Sequence, residues 1–467
     1  MSDGKPNGDS QAGAPLWSLS ATAISRLLQQ GDVEPVQVLD AYLNRISEVD
    51  PRIHSFIHVA EARARASARR SNDALAARVP RSLLDGIPFA VKDNYDVAGM
   101  PATSGSRLRL DHIPTATSPL IRRLEEAGAV LLGKLSTWEY GTGNGGEYFD
   151  LPFPPARNPW NPERFTGGSS TGSGAGVAAG TIAFALGSDT TGSVRLPAAA
   201  CGLVGVILPQ GQLSGEGLLP NCYSLDVPGP LTWTVEDAAM VLDVLVNPAV
   251  NYRRSIGRPI AGMKIGVLRG PLGRFPEPDR AMADAFEQAV RTIGGLGAVV
   301  RDACFPMPVS ECFDVTRLIG PTESAAIHEQ ELRERPQDMG FALRDKLLAG
   351  SLVRAVDYIH ALRQRRLISE RFDELLGSFD AIVTYGPLHV APRLGIEPEM
   401  TAFTVETCLT PFNLSGYPAM VQCTGFSSDG LPLSWQIVAH RGDEASALAL
   451  ASAYESATSW RDRRPVL

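Results

Sequence analysis

At 467 residues the chain is about three times the ~150-residue prior for one domain, and its 44% hydrophobic content excludes a disordered polymer. A net charge of −8, with both signs spread along both halves, leaves no basic stripe and argues against nucleic acid or an anionic membrane as the main partner. Six scattered cysteines with no C-x-x-C pair predict buried free thiols in a reducing cytoplasm, with neither a disulfide framework nor a metal site.

The first fifteen residues are polar and rich in Gly and Pro, without the blocks of a signal peptide, and predict a disordered tail over 1–15. Ile24, Leu27 and Leu28 then recur at helical spacing up to Gly31-Asp32, and Leu39, Tyr42, Leu43 and Ile46 do so up to Asp50-Pro51. Residues 57–79, rich in Ala and Arg, predict a third, exposed helix. From about 80 to 245 short apolar runs (Ile87–Val91, Ala129–Leu132, Leu203–Leu208) alternate with Gly- and Pro-rich turns and Ala-rich segments, the pattern of an α/β sheet covered on both faces. Within the long uncharged stretch 165–188 only Val177–Leu186 is mostly apolar, the length of a buried core helix and too short for a membrane span. Lys264–Leu268 predicts a strand, 280–293 a helix and 306–378 mostly helix; Asp380–Thr384 and Leu433–Val438 predict returning strands. No repeat and no linker divides the chain, so the expectation is one large α/β domain over 16–467.

Three segments carry chemistry. In Asp85-Gly-Ile-Pro-Phe-Ala-Val-Lys92-Asp93-Asn94 a lysine ends an apolar run, where desolvation favours the neutral amine and makes it a candidate base. The competing reading is a lysine that snorkels to water or pairs with Asp93. Gly167–Gly176 predicts a loop with special backbone conformations rather than a regular helix or strand, since Gly is costly in both. Its competitor, a flexible linker, sits poorly with the apolar segment that follows at once. In Gly187–Pro197 small residues free the N–H groups of Thr190 to Ser193 to point at one place, as an oxyanion needs, with a serine at the end of the turn as nucleophile. The alternative is a polar turn held by an Asp189–Arg195 ion pair.

Other motifs are weaker. Gly141-x-Gly143-x-x-Gly146 and Gly174-x-Gly176-x-x-Ala179 match a dinucleotide fingerprint by letter, without a preceding strand and a following acid. Gly128–Leu135 nearly matches a phosphate-binding loop, but Leu135 replaces the required Ser or Thr. All seven histidines lie outside the Ser-rich segments; a Ser-His-Asp arrangement stays open beside serine activated by lysine.

Together the three segments resemble the amidase signature family, whose pattern D-G-I-P-x-x-x-K-D, G-G-S-S-G-G-S and G-T-D-x-G-G-S-x-R-x-P appears here in order, with Ser169 and Ser193 24 residues apart. Asn158-Pro-Trp160, Ser224-Leu-Asp226, Pro411–Pro418 and Asp429-Gly-Leu-Pro432 also agree. The strong part covers about 80–245; residues 246–400 lie outside the resemblance and are expected to be a variable, mostly helical region that shapes the substrate site. The resemblance implies a single domain with a mixed, twisted β-sheet between helices. It implies that Ser193 is acylated, that Ser169, in a cis peptide, relays the proton, and that neutral Lys92 is the base. The N–H groups of Thr190, Thr191, Gly192 and Ser193 would hold the oxyanion, Asp189 and Arg195 would brace the loop, and Ser170 would bond the lysine or the loop backbone. Trp138, Tyr140 and parts of 306–378 are candidate substrate walls.

Four departures stand out: Thr171 and Thr191 where Gly is usual, Ser188 for Thr, Leu208 before Pro209, and a longer stretch between Trp138 and Asn158 that carries Tyr148, Phe149 and Phe153. The expectation is a cytoplasmic serine hydrolase that cleaves the amide C–N bond of a small molecule without metal or organic cofactor, and that also accepts esters or carbamates (urethanes). A homodimer is left open. The alternatives are the glutaminase A-type subunit of a tRNA-dependent amidotransferase, which needs partner subunits, and, from another class, a nucleotide-binding ATPase built on the Gly-rich loops.

Overall fold

Val130–Leu135 and Phe184–Asp189 are buried at every position, the pattern of strands covered on both faces. In the computed structural model, which describes residues 13–143, 150–246 and 250–467, such runs build one eleven-stranded mixed sheet. Its strands are β1 (Phe56–Val59), β2 (Pro88–Lys92), β3 (Val130–Leu135), β4 (Phe184–Asp189), β5 (Val204–Ile207), β6 (Val227–Thr232), β7 (Lys264–Leu268), β8 (Val299–Ala303), β9 (Ala381–Tyr385), β10 (Ala419–Phe426) and β11 (Pro432–Ala439). They lie in the order β1-β3-β2-β4-β6-β5-β10-β11-β9-β7-β8. The central pairs β2–β3 and β2–β4 are parallel, as are β7–β8 and β7–β9, while β4–β6, β5–β6, β5–β10, β10–β11 and β9–β11 are antiparallel.

Around the sheet run α1 (Ala21–Gln30), α2 (Pro35–Ile53), α3 (Glu61–Ala76), α4 (Pro119–Glu126), α5 (Thr171–Ala179), α6 (Arg195–Cys201), α7 (Val235–Leu245) and α8 (Arg280–Gly295). The second half adds α9 (Val309–Ile327), α10 (Glu329–Glu334), α11 (Phe341–Ser351), α12 (Ala355–Leu376), α13 (Glu397–Val405), α14 (Thr410–Ser415) and α15 (Glu444–Ser456). One hydrophobic cluster extends from Leu19 to Tyr454, so both halves share a core and the molecule is a single α/β domain. None of the described helices is long and apolar enough to cross a membrane.

The predicted strands at 87–91, 129–132, 203–208, 264–268, 380–384 and 433–438 are present with ends shifted by a few residues, as is the helix near 280–293. Three expectations are corrected. Residues 57–79 are not one helix: Phe56–Val59 pairs antiparallel with β3, and the helix begins at Glu61. The aromatic and β-branched residues Phe56, Ile57 and Val59 favour a strand, and the Ala- and Arg-rich composition that predicts helix begins after them. Gly167–Gly176 is not all loop, because α5 starts at Thr171. A Cβ on Gly172 would lie 2.2 Å from the Ser55 carbonyl oxygen, so its glycine marks the close approach of a buried helix to the sheet. Val177–Leu186 is not one helix either: α5 ends at Ala179, Gly180 caps it at φ 74°, and β4 starts at Phe184. In addition, α2 runs through Pro51 to Ile53 rather than stopping before it. Tail residues 1–12, Tyr148, Phe149 and the Gly146 of the first glycine fingerprint lie outside the described residues.

Candidate active site

Parallel pairing places the C-terminal ends of β2 and β4 side by side, with Val91 opposite Leu186. Lys92 thereby ends β2 next to the turn that leaves β4, in line with the rule that ligands meet open α/β sheets at the carboxyl ends of parallel strands. Lys92 is fully buried, and its Nζ is 2.7 Å from Ser169 Oγ and 3.0 Å from Ser188 Oγ. Asn94 Nδ2 donates to the same Ser188 hydroxyl at 2.9 Å. Burial pushes the Lys92 ammonium down to about 7, against Asp226 and Asp189, which favour the charged form. The competing partner Asp93 is taken by another buried lysine, Lys134, at 2.8 Å.

Ser169 and Ser170 immediately precede α5. The Gly168–Ser169 peptide is cis, and the Ser169 carbonyl accepts from Trp138 N at 3.2 Å and Thr137 Oγ1 at 3.1 Å. Ser170 ties this segment to the second serine loop: its N–H donates to the Ser193 carbonyl at 3.2 Å and its hydroxyl to the Ser188 carbonyl at 3.3 Å. It bonds the loop backbone, and among the described residues the hydrogen bonds of Lys92 Nζ go to Ser169 and Ser188 instead.

The turn from β4 to α6 is wound around Asp189. That carboxylate accepts from the N–H groups of Gly192 (2.6 Å), Val194 (3.0 Å) and Arg195 (3.3 Å) and faces the Arg195 guanidinium at 3.1 Å. Burial alone would raise Asp189, yet Arg195 and the backbone donors outweigh it and hold the group below the usual carboxylate range. Arg195 in turn donates to Gln436 Oε1 (2.6 Å) and the Leu409 carbonyl (2.9 Å), and Asn413 Nδ2 donates to Asp189 Oδ1 at 2.9 Å.

One member of the expected oxyanion set is therefore corrected. The Gly192 N–H is drawn onto the Asp189 carboxylate, because a buried carboxylate needs those donors. The N–H groups of Thr190, Thr191 and Ser193 have no acceptor among the described residues. Gly192 sits at φ 133°, a conformation open to glycine, whereas Thr191 needs no such freedom.

Ser193 opens onto a cavity of about 120 Å³ shared with Thr190, Thr191, Gly192 and Gly168. Trp138 lines it as expected. Tyr140 does not: it is buried in a separate cluster with Met339, Leu343 and Leu347, its ring against His328 at 4.3 Å, because its backbone turns to φ 48°. From the helical stretch 306–378, α9 contributes Phe313, Thr316 and Arg317, and α11 contributes Lys346.

Sequence reasoning missed several neighbours of the site. Asp226 accepts from Thr190 Oγ1 at 2.6 Å and from the Asn221 and Cys222 N–H groups at 2.7 and 2.9 Å. Lys346 Nζ bonds Asn221 Oδ1 and, at 3.3 Å, Thr142 Oγ1; burial pushes it down to about 8. Asp226 had a signal in Ser224-Leu-Asp226, and Asn413 in Pro411–Pro418. Asn221, Arg317 and Lys346 had none. Among the described residues no group of His, Cys, Asp and Glu is gathered to hold a metal ion.

The profile of the family described as Amidase matches residues 37–448. The A-type subunit of glutamyl-tRNA(Gln) amidotransferase from Chloroflexus aurantiacus is 32% identical, over 97% of this chain and 99% of its own. Among solved structures, 6-aminohexanoate cyclic dimer hydrolase superposes with a TM-score of 0.86 at 27% identity, covering 97% of this chain and 99% of that one. The corresponding A-type amidotransferase subunit from Thermotoga maritima superposes with a TM-score of 0.77 at 28% identity, covering 94% and 95%. With the signature segments in order, the family profile over most of its length and the same fold, this chain belongs to the amidase signature family.

Proposed function

We propose that the chain hydrolyses an amide C–N bond through an acyl-enzyme on Ser193. Neutral Lys92 receives a proton through Ser169 as Ser193 Oγ attacks the carbonyl carbon, and the N–H groups of Thr190, Thr191 and Ser193 receive the oxyanion. When the C–N bond breaks, that proton returns from Lys92 through Ser169 to the departing nitrogen. Water then adds to the Ser193 ester along the same proton path, releasing a carboxylate and restoring the hydroxyl. Asp189, Arg195 and Ser170 hold the two serine loops together. Esters and carbamates pass through a similar oxyanion and fall within the same proposal, which uses no metal or organic cofactor. A reducing, cytoplasmic location goes with the six unpaired cysteines. The observation that carries the proposal is the 2.7 Å contact between Lys92 Nζ and Ser169 Oγ in a buried site that holds the amine near neutrality. Ser193→Ala should keep the circular dichroism spectrum of the native chain and lose turnover of a panel of anilides, primary amides, carbamates and esters. Retained turnover would place the nucleophile elsewhere.

A second reading has its own support. Curated relatives matched over nearly their full length are A-type subunits of glutamyl-tRNA(Gln) amidotransferases, which favours a glutaminase that works together with partner subunits. The higher structural similarity to 6-aminohexanoate cyclic dimer hydrolase than to the Thermotoga protein favours a hydrolase of small molecules. The two diverge in one assay: if the chain is part of an amidotransferase, it is nearly inactive on simple amides when isolated and gains glutaminase activity when the partner subunits are added.

A further inference from the structure

We propose that the cavity beside Ser193 selects amides that carry a carboxylate, received by Arg317 and Lys346, and offers no seat for a substrate ammonium group. This rests on the reading of Ser193 as nucleophile and narrows its substrate class. Among the described residues lining the cavity, Arg317 and Lys346 are the charged side chains and none is Asp or Glu. The Arg317 guanidinium makes no ion pair or hydrogen bond within the described residues. Among the described residues the Lys346 ammonium hydrogen-bonds the neutral oxygens of Asn221 and Thr142, with Asp226 acting on it through space from behind the lining.

Three carboxylates behind the lining, Asp226, Glu323 and Glu406, are already engaged. Asp226 is held by Thr190 and two backbone N–H groups. Glu323, on α9, accepts from Ser224 N at 2.9 Å and Tyr358 Oη at 2.9 Å. Glu406, beside the lining residue Val405, is 2.7 Å from His389 Nε2. Two cations facing one small cavity repel each other unless an anion enters between them, and a guanidinium offers a carboxylate two parallel donors. A substrate ammonium would meet the same two positive charges, with no carboxylate among the described lining residues to receive it.

The test compares the monoamides of malonic, succinic and glutaric acids and N-acetylglycine with their uncharged counterparts, in which methyl replaces carboxylate, and with L-glutamine. Two readouts are used: kcat/KM, and slowing of fluorophosphonate labelling of Ser193. The expected result is that at least one carboxylate compound exceeds its neutral counterpart tenfold or more in kcat/KM or in protection, and that glutaric monoamide exceeds L-glutamine. Arg317→Gln should cut that ratio about tenfold, and Arg317→Lys should retain most of it. Equal or better performance by the neutral compounds or by L-glutamine, or a ratio unmoved in Arg317→Gln, overturns the anion site while Ser193 labelling leaves the nucleophile standing. A chain that neither labels nor turns over any amide overturns both.

Discussion

Two buried cations do opposite work at the scale of single residues. Lys92 is placed where water cannot stabilise its charge, so its pKa falls to about 7. The neutral form is the working base, and the sign follows: kcat/KM should rise about tenfold per pH unit below 7 and level off above it. In Lys92→Ala that limb disappears and the rate falls by about three orders of magnitude. A pH profile of the variant that still bends near 7 would assign the limb to another group. Arg195, by contrast, is clamped in place: it pairs with Asp189 and donates to Asn413 and Gln436. Arg195→Met strands Asp189 as an unpaired buried carboxylate and should cost about 3–5 kcal/mol, read as a lower urea midpoint. A loss under about 1 kcal/mol, the range of exposed pairs, would show that the loop does not depend on the pair.

Elements explain why the site sits where it does. Parallel β2 and β4 supply Lys92 and Asp189 at one end, and α5 must approach closely enough to bring its preceding serines to them. Gly172 permits that approach. Gly172→Ala puts a Cβ 2.2 Å from the Ser55 carbonyl oxygen and 2.5 Å from Ser136 N, and should destabilise the fold by about 1–3 kcal/mol while lowering kcat. Unchanged melting and turnover would contradict this account of α5.

Much of this level was legible beforehand: Lys92, Ser169, Ser193, Asp189 and Arg195 lie in short segments whose residue types report their surroundings. The helical start of α5 was not, since Gly and Ser signal loops unless tertiary packing demands small residues. Nor was strand β1, a short run beside an Ala- and Arg-rich helical segment. The loss of the Gly192 donor to Asp189 is a matter of side-chain direction inside the turn. Lys346 meets Asn221 across 125 positions, a contact that no local pattern announces.

For the whole molecule, the sheet order shows how the variable region is bound in. Strands β7, β8 and β9 come from 246–400, yet β9 pairs with β11 and β11 with β10, which returns to β5. The variable stretch is thus stitched to the core by the C-terminal strands, and its helices α9 and α11 supply part of the cavity wall. One continuous sheet with a main hydrophobic cluster that draws on both halves of the chain predicts a single unfolding transition in urea by fluorescence and circular dichroism alike. Two separated transitions would mean that 246–400 folds on its own. The most direct test of the chemistry is to treat the native chain with a fluorophosphonate and map the adduct by peptide mass spectrometry. The account predicts one adduct, on Ser193, that is absent in Ser193→Ala and slowed in Lys92→Ala; an adduct on any other residue, or none in a preparation that turns over amides, would contradict it.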